Sequence, residues 1–528
     1  MRQFASATLS ALAAALLLSA CSGEKAAAPE DTIRYASTKD IRDINPHLYL
    51  GEMAAQAMVF EPLVVNTEDG VKPWLAASWD LSPDGRVYTF HLREGVKFSD
   101  GEPFTADAVK ANMDAIAQNI QRHQWLDMVN EIESTEALDP LTFRLTLKHP
   151  YYPALTELAL ARPFRFISPK CFKEGGTMNG VSCLSGTGPW VLSEHKLNQE
   201  ALFTVNPAYW GEKPKTAKVL WRVMPDPQTM LLALEKGEID LIFGADGDQL
   251  NLDAFKKLQK DGQYATEISK PIASRAILLN TKRPVTSDLR VREAISHAID
   301  KEGIVKGVLN GTEAVAPTLL AENVPYCNLG LKPLDYDIEK AKALMEEAGW
   351  KPGADGIREK DGQKCRVTLY FNAKNAQEKT ISEFVQADLK KIGVDLQIVG
   401  EEKQAFLDRQ RTGEFDLQYS LSWGTPYDPQ SYVSSWRIPA HGDFQAQSGL
   451  ERKAQIDREI TALMIEKSDA KRAAMYRDIL SYIHDSAVYV PLSYSRTKAV
   501  HSKRLEGVAF AVSQYEIPFE RMEIRKTK

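Results

Sequence analysis

The nine histidines fall at positions 47, 91, 123, 149, 195, 297, 441, 484 and 501, and no two stand two or four residues apart. Those are the spacings at which two imidazoles leave one face of a strand or helix. The chain therefore carries no local transition-metal motif. The signatures HExxH and GxSxG and the P-loop are missing too, so no zinc-hydrolase, esterase-elbow or phosphate chemistry is announced. Gly186-Thr187-Gly188 is too short to cradle a phosphate. These gaps exclude the usual exported hydrolases and leave a binding protein, not an enzyme, as the expectation. Beyond Cys21 the cysteines are Cys171, Cys183, Cys327 and Cys365, with no CxxC pair. An even number in an oxidising compartment permits two disulfides, and proximity favours Cys171–Cys183 and Cys327–Cys365.

The opening residues set the compartment. Arg2 is followed by an apolar stretch from Leu9 to Leu18 and then by Leu18-Ser19-Ala20-Cys21. That run is shorter than the ~20 residues a membrane-spanning helix needs. It reads as a lipoprotein signal over 1–20, with Cys21 acylated after cleavage. More than one acyl chain gives stable anchoring, and the small polar stretch 21–30 serves as the tether. The expectation is a periplasmic protein held to a membrane by lipid and otherwise soluble. A hydrophobic fraction of 44% and a charged fraction of 26% suit a globular chain. At 528 residues it needs two to four lobes. Net charge is −6 with Lys and Arg scattered, which argues against a nucleic-acid partner.

The elements that must position any site alternate along the chain. Segments 87–92, 142–147 and 366–371 have strand periodicity. Helices are predicted at 105–119 with Thr105 as cap, 289–308, 337–349 with Asp337 as cap, 377–392 and 469–487. Asp84-Gly85 and Asp100-Gly101 mark tight turns. The mixture indicates α/β lobes.

Residues 73–107 read PWLAASWDLSPDGRVYTFHLREGVKFSDGEPFTAD. This segment resembles the signature of the extracellular solute-binding proteins that serve peptide and nickel ABC importers. Phe60-Glu61-Pro62-Leu63, Gly186-Thr187-Gly188-Pro189-Trp190, Asn206-Pro207 with Tyr209-Trp210, and Gln386-Ala387-Asp388-Leu389 with Ile392-Gly393-Val394 extend the match to nearly all of 31–528. The resemblance implies a two-lobed α/β fold that hinges shut on its ligand. Lobe I would comprise 31–270 with 498–528, carrying an inserted subdomain at about 52–185, and lobe II would comprise 271–497. It also implies a monomer that delivers its ligand to inner-membrane permease subunits.

Several stretches are similar to the nickel-binding branch of that family: Asn45-Pro46-His47-Leu48-Tyr49, Gln121 to Leu126, Ala161 to Phe166, Leu279-Asn280-Thr281, Trp423 to Pro429 and Pro439 to Phe444. Carried over by position, the ligand-binding set is Tyr49, Met53, Arg122, Trp125, Arg162, Trp423 and Tyr427, with His441 as metal ligand. Chemistry favours the same set. Arginine forks suit carboxylates, aromatic walls exclude water, and a neutral imidazole suits Ni(II). One imidazole cannot fill a nickel shell, so the expected cargo is nickel already wrapped in a small carboxylate-bearing chelator such as histidine. The chain departs from the branch at Leu407 (tyrosine there), at Tyr515 (threonine there) and in a loop shortened by one residue at Leu50-Gly51-Glu52. A peptide or haem binder on the same scaffold is the alternative. Against peptides, Asp428-Pro429 follows Thr425-Pro426-Tyr427, so the aspartate that would hold a free amine is missing, and a buried unpaired amine costs several kcal/mol.

Overall fold

The computed structural model describes residues 31–244 and 249–525; the expected signal, Cys21 and the tether lie outside them. Thr32–Ser37 is buried along nearly its whole length, as a central strand covered on both faces must be. It pairs in parallel with Lys218–Val223 on one side and Leu241–Gly244 on the other. The seven-stranded sheet around it runs Trp190–Lys196, Glu200–Val205, Lys218–Val223, Thr32–Ser37, Leu241–Gly244, Lys498–His501, Ala265–Ile268. A second, six-stranded sheet is built on Ala273–Leu279, which is buried at every position. Its neighbours are Tyr489–Ser495 and Leu417–Leu421; Ala314–Val315, Arg366–Asn372 and Asp395–Glu401 complete it. The chain passes between the two sheets at 269–272 and again at 496–497. There Ser269 N donates to Thr497 O at 2.9 Å and Ile272 N to Ser495 O at 2.9 Å. These paired strands form the hinge side of a two-lobed α/β molecule.

A third, antiparallel sheet of four strands lies within 76–147. Tyr88, Phe90 and Leu92 alternate inward, opposite Phe143, Leu145 and Leu147, the period-2 pattern of a half-buried sheet. The helix Ala106–Gln118 packs on it, and the Thr105 hydroxyl accepts from Ala108 N at 3.3 Å to start that helix.

Four of the quoted motifs meet at one side chain. Glu61 is 3% exposed, yet it accepts from Trp74 Nε1 at 2.8 Å, Trp210 Nε1 at 2.9 Å, Thr187 Oγ1 at 2.8 Å and Tyr209 at 3.3 Å. Burial raises its pKa against the pull of those donors. The two glycines around Thr187 allow the approach, because a Cβ at Gly186 would lie 2.0 Å from Val59 O. That segment is a packing device, in keeping with its lack of phosphate-loop length.

Two expectations need correction. The predicted helix 289–308 is broken: Leu289–Ala298 ends at an extended Ile299, and Asp300 caps a new turn by accepting from Gly303 N at 2.8 Å. A π-helical turn, Ile304–Val308, follows. Cys171 and Cys183 form a disulfide beside the strand pair Phe172–Lys173 and Gly176–Val181. Cys327 and Cys365, however, are free and buried. They belong to different hydrophobic cores, Cys327 with Tyr476 and Tyr494, Cys365 with Val367 and Leu369. They act as small apolar side chains.

Candidate functional site

The loop after the first strand is fixed from below by a polar network. Buried His47 has its Nδ1 2.9 Å from Thr177 Oγ1 and its Nε2 3.1 Å from Arg165 O. Gln56 donates to Asn45 O at 2.8 Å and to Leu48 O at 3.2 Å. Gly51 sits so close to the chain that a Cβ would meet Asp43 O at 2.3 Å. Tyr49 is thereby held at the seam between the two lobes, the crevice where Trp125 faces Trp423. Its hydroxyl accepts from Trp125 Nε1 at 2.7 Å and stands 2.9 Å from His123 Nδ1. Burial raises the phenol to about 12, so it stays neutral.

From Tyr49 the aromatic rings continue across the crevice. Trp125 meets Trp423 edge-on at 5.7 Å, and Trp423 meets Tyr427 at 6.3 Å and His441 at 5.8 Å. Tyr427 in turn meets Tyr515 at 6.0 Å. Trp125 follows the helix Ala106–Gln118, whereas Trp423, Tyr427 and His441 follow strands of the second sheet. Arg162 lies 4.6 Å above the Tyr49 ring and donates to Gly51 O at 3.3 Å. Among the described residues it has no carboxylate at ion-pair distance; burial lowers its pKa, opposed by Tyr49, Tyr427 and, more weakly, Glu52. A guanidinium stays charged under such conditions, so an anion is the missing partner.

His441 precedes the helix Gly442–Gln447, whose Asp443 accepts from Tyr432 at 2.7 Å and Tyr489 at 2.8 Å. These bonds anchor the helix start and hold the imidazole beside Trp423. Burial lowers the His441 pKa, which keeps a ring nitrogen available as a lone-pair donor.

The structure thus brings together Tyr49, Trp125, Arg162, Trp423, Tyr427 and His441. Arg122 stands farther out. It is exposed, at the crevice rim, 5.9 Å from the Tyr49 ring, where a flexible side chain in water is stable unpaired. Met53 also stands apart. It lines a neighbouring hollow of 140 Å³ with Glu52, Gln514 and Tyr515, with no place in the ring chain. Leu407 is exposed. Two features escaped the sequence reading: the Asp443 anchor, hinted at only by its place next to His441, and the contact of His123 with Tyr49. The segment that carries Asp127 and Glu157 is also tied to the helix Gln430–Ser435 and its flank. Ser431 donates to buried Glu157 at 2.8 Å, and Ser434 and Arg437 donate to Asp127.

Known proteins share this fold. Residues 70–444 match the family of bacterial extracellular solute-binding proteins, family 5, middle region. The nickel-binding periplasmic protein of Escherichia coli K12 is 47% identical over 501 residues, which is 94% of this chain and 95% of that one. The crystal structure of NikA from Brucella suis in complex with Fe(III)-EDTA superposes with a TM-score of 0.92 at 48% identity, over 94% of this chain and 100% of that one. NikZ from Campylobacter jejuni in complex with Ni(L-His) superposes at 0.78 with 26% identity, over 94% and 100%. The chain belongs to the bacterial extracellular solute-binding proteins of family 5, proteins that bind a solute and do not transform it.

Proposed function

We propose that this protein captures Ni(II) as a small carboxylate-bearing chelate, such as nickel–histidine, and delivers it to the permease of an ABC importer. One observation carries the reading: Arg162, charged, half-buried and, among the described residues, without a carboxylate in ion-pair contact, faces the same aromatic crevice as the neutral imidazole of His441. Arg162, with Arg122 at the rim, would take the chelator's carboxylates. His441 would add one nitrogen to the metal, and Trp125, Trp423, Tyr427 and Tyr49 would exclude water. Among the described residues no group of three or more His, Cys, Asp and Glu is arranged to hold a metal, so a nickel ion held here brings its other donors with it. The Escherichia coli relative is a nickel-binding protein, and the NikA and NikZ structures each hold a chelated metal, which supports the same reading.

We further propose lobe I as 31–270 with 498–528 and lobe II as 271–497; the strands each sheet recruits support that division. Periplasmic action as a lipid-anchored monomer, tethered through Cys21, completes the proposal. Native mass spectrometry of the mature protein from nickel-limited cells tests it. One nickel plus one small organic acid is the expected added mass, and a peptide or porphyrin mass would replace this reading with its rival.

A further inference from the structure

We infer that His123 is a positioning residue. It carries its proton on Nδ1, donates it to Tyr49, and so leaves the Tyr49 hydroxyl as a hydrogen-bond donor to the anionic end of the ligand. The inference rests on the site proposed above and adds to it the polarity of one contact.

The argument starts from the Tyr49 oxygen. An indole N–H can only donate, so the 2.7 Å contact with Trp125 makes Tyr49 an acceptor there. The 2.9 Å contact with His123 Nδ1 then has two forms. In one, Tyr49 donates to a bare Nδ1, and the imidazole proton sits on Nε2. That nitrogen is buried with no partner among the described residues, so an N–H would be orphaned in a side chain that is 0% exposed. Tyr49 would then have only a lone pair left to offer, in a crevice whose guanidinium groups already call for negative charge. In the other form Nδ1–H donates, Nε2 keeps a bare lone pair, and Tyr49 accepts twice. Orphaned N–H groups are rarer in folded proteins than under-used acceptors. The second form also leaves the Tyr49 proton unclaimed, beside Arg162 at 4.6 Å from the ring. A doubly protonated imidazole is excluded, because burial, reinforced by Arg122, lowers His123 to about 4.

Tyr49 and Arg162 would then present an O–H and an N–H fork to one carboxylate, which a ligand without carboxylates could not use. His123, two residues before Trp125, would select between those ligands while touching neither.

Two measurements test this. Long-range proton–nitrogen NMR on histidine-labelled protein, with the His123 signals assigned by their loss in His123→Asn, should show Nδ1 protonated and Nε2 bare in the ligand-free state. A proton on Nε2 would overturn the inference whatever the ligand. Binding of nickel–histidine should weaken by about 10- to 100-fold in Tyr49→Phe and in His123→Leu, the range for one hydrogen bond to a charged group. His123→Asn, whose amide can still donate, should restore most of the affinity. Binding of a nickel polyamine, which has no carboxylate, should not respond to Tyr49→Phe or His123→Leu; a merely structural role for His123 would weaken both ligands alike. If Tyr49→Phe leaves nickel–histidine binding intact while Arg162→Ala abolishes it, the donor assignment fails and the chelate reading stands. If neither variant matters, the site itself is misplaced.

Discussion

Glu61 and the crevice are two solutions to the same physical problem, a charged or polar group withdrawn from water. Around Glu61 four donors from 74, 187, 209 and 210 converge on one carboxylate and satisfy it inside the protein. In the crevice the donors outnumber the acceptors: Arg162 has only a carbonyl at 3.3 Å, and His441 leans on an aromatic ring. A buried polar group that is fully paired holds structure, and one left over holds ligand. The motifs through which the family resemblance is legible thus belong mostly to the first region, and the solute belongs to the second.

Breaking each region should have opposite consequences. Removing the hub is the largest expected effect. Glu61→Ala orphans two indole N–H groups and two hydroxyls, and should lower stability by about 3 kcal/mol or more, read as a fall in the thermal midpoint. Arg162→Ala should do the reverse. Its thermal midpoint should stay close to wild type, while affinity for a carboxylate chelate falls by about 100-fold, equivalent to roughly 3 kcal/mol. If both variants lost stability equally, the contrast would collapse. His441→Ala should weaken nickel–histidine by about 10-fold and leave the metal-free chelator unaffected, which calorimetry separates.

A subtler effect sharpens the comparison at the lobe contact. Burial raises Glu157 to about 8 and Asp428 to about 7. Between the unfolded values of 4.5 and 3.8 and these folded values, the folded state holds protons that the unfolded chain has released. Stability from these two groups is therefore complete below about pH 4 and is lost as pH rises towards 8, by at most about 1.4 kcal/mol per pH unit per group. Glu157→Gln, which mimics the protonated carboxyl, should flatten that slope in denaturant titrations at pH 5, 6, 7 and 8. An unchanged slope would show that Glu157 is ionised in the fold.

Local physics explains what the sequence could and could not convey. The alternation of Tyr88, Phe90 and Leu92 and the Thr105 cap act over a few residues, and both are where periodicity and capping rules put them. The helix predicted at 289–308 breaks although its apolar period runs on through Asp300, because that side chain does better as a fresh cap than as part of a continuous helix. Cys327 and Cys365 looked like partners because they are neighbours in the sequence, but separate cores claim them. In the crevice, residue identity was legible through resemblance, whereas Tyr49 meets His123 across 74 positions of sequence and Arg122 turns out at the rim. No spacing rule reaches that far. Tyr515 stands against Tyr427, 88 positions away in the sequence, at 6.0 Å.

Titrating the mature protein with nickel in the presence and absence of histidine, while following the fluorescence of its nine tryptophans, tests the central claim most directly. Capture of a pre-formed chelate predicts saturable quenching by nickel–histidine, little response to nickel alone, and loss of the response in Arg162→Ala. Equal quenching by nickel alone, or a response untouched by that substitution, would contradict it.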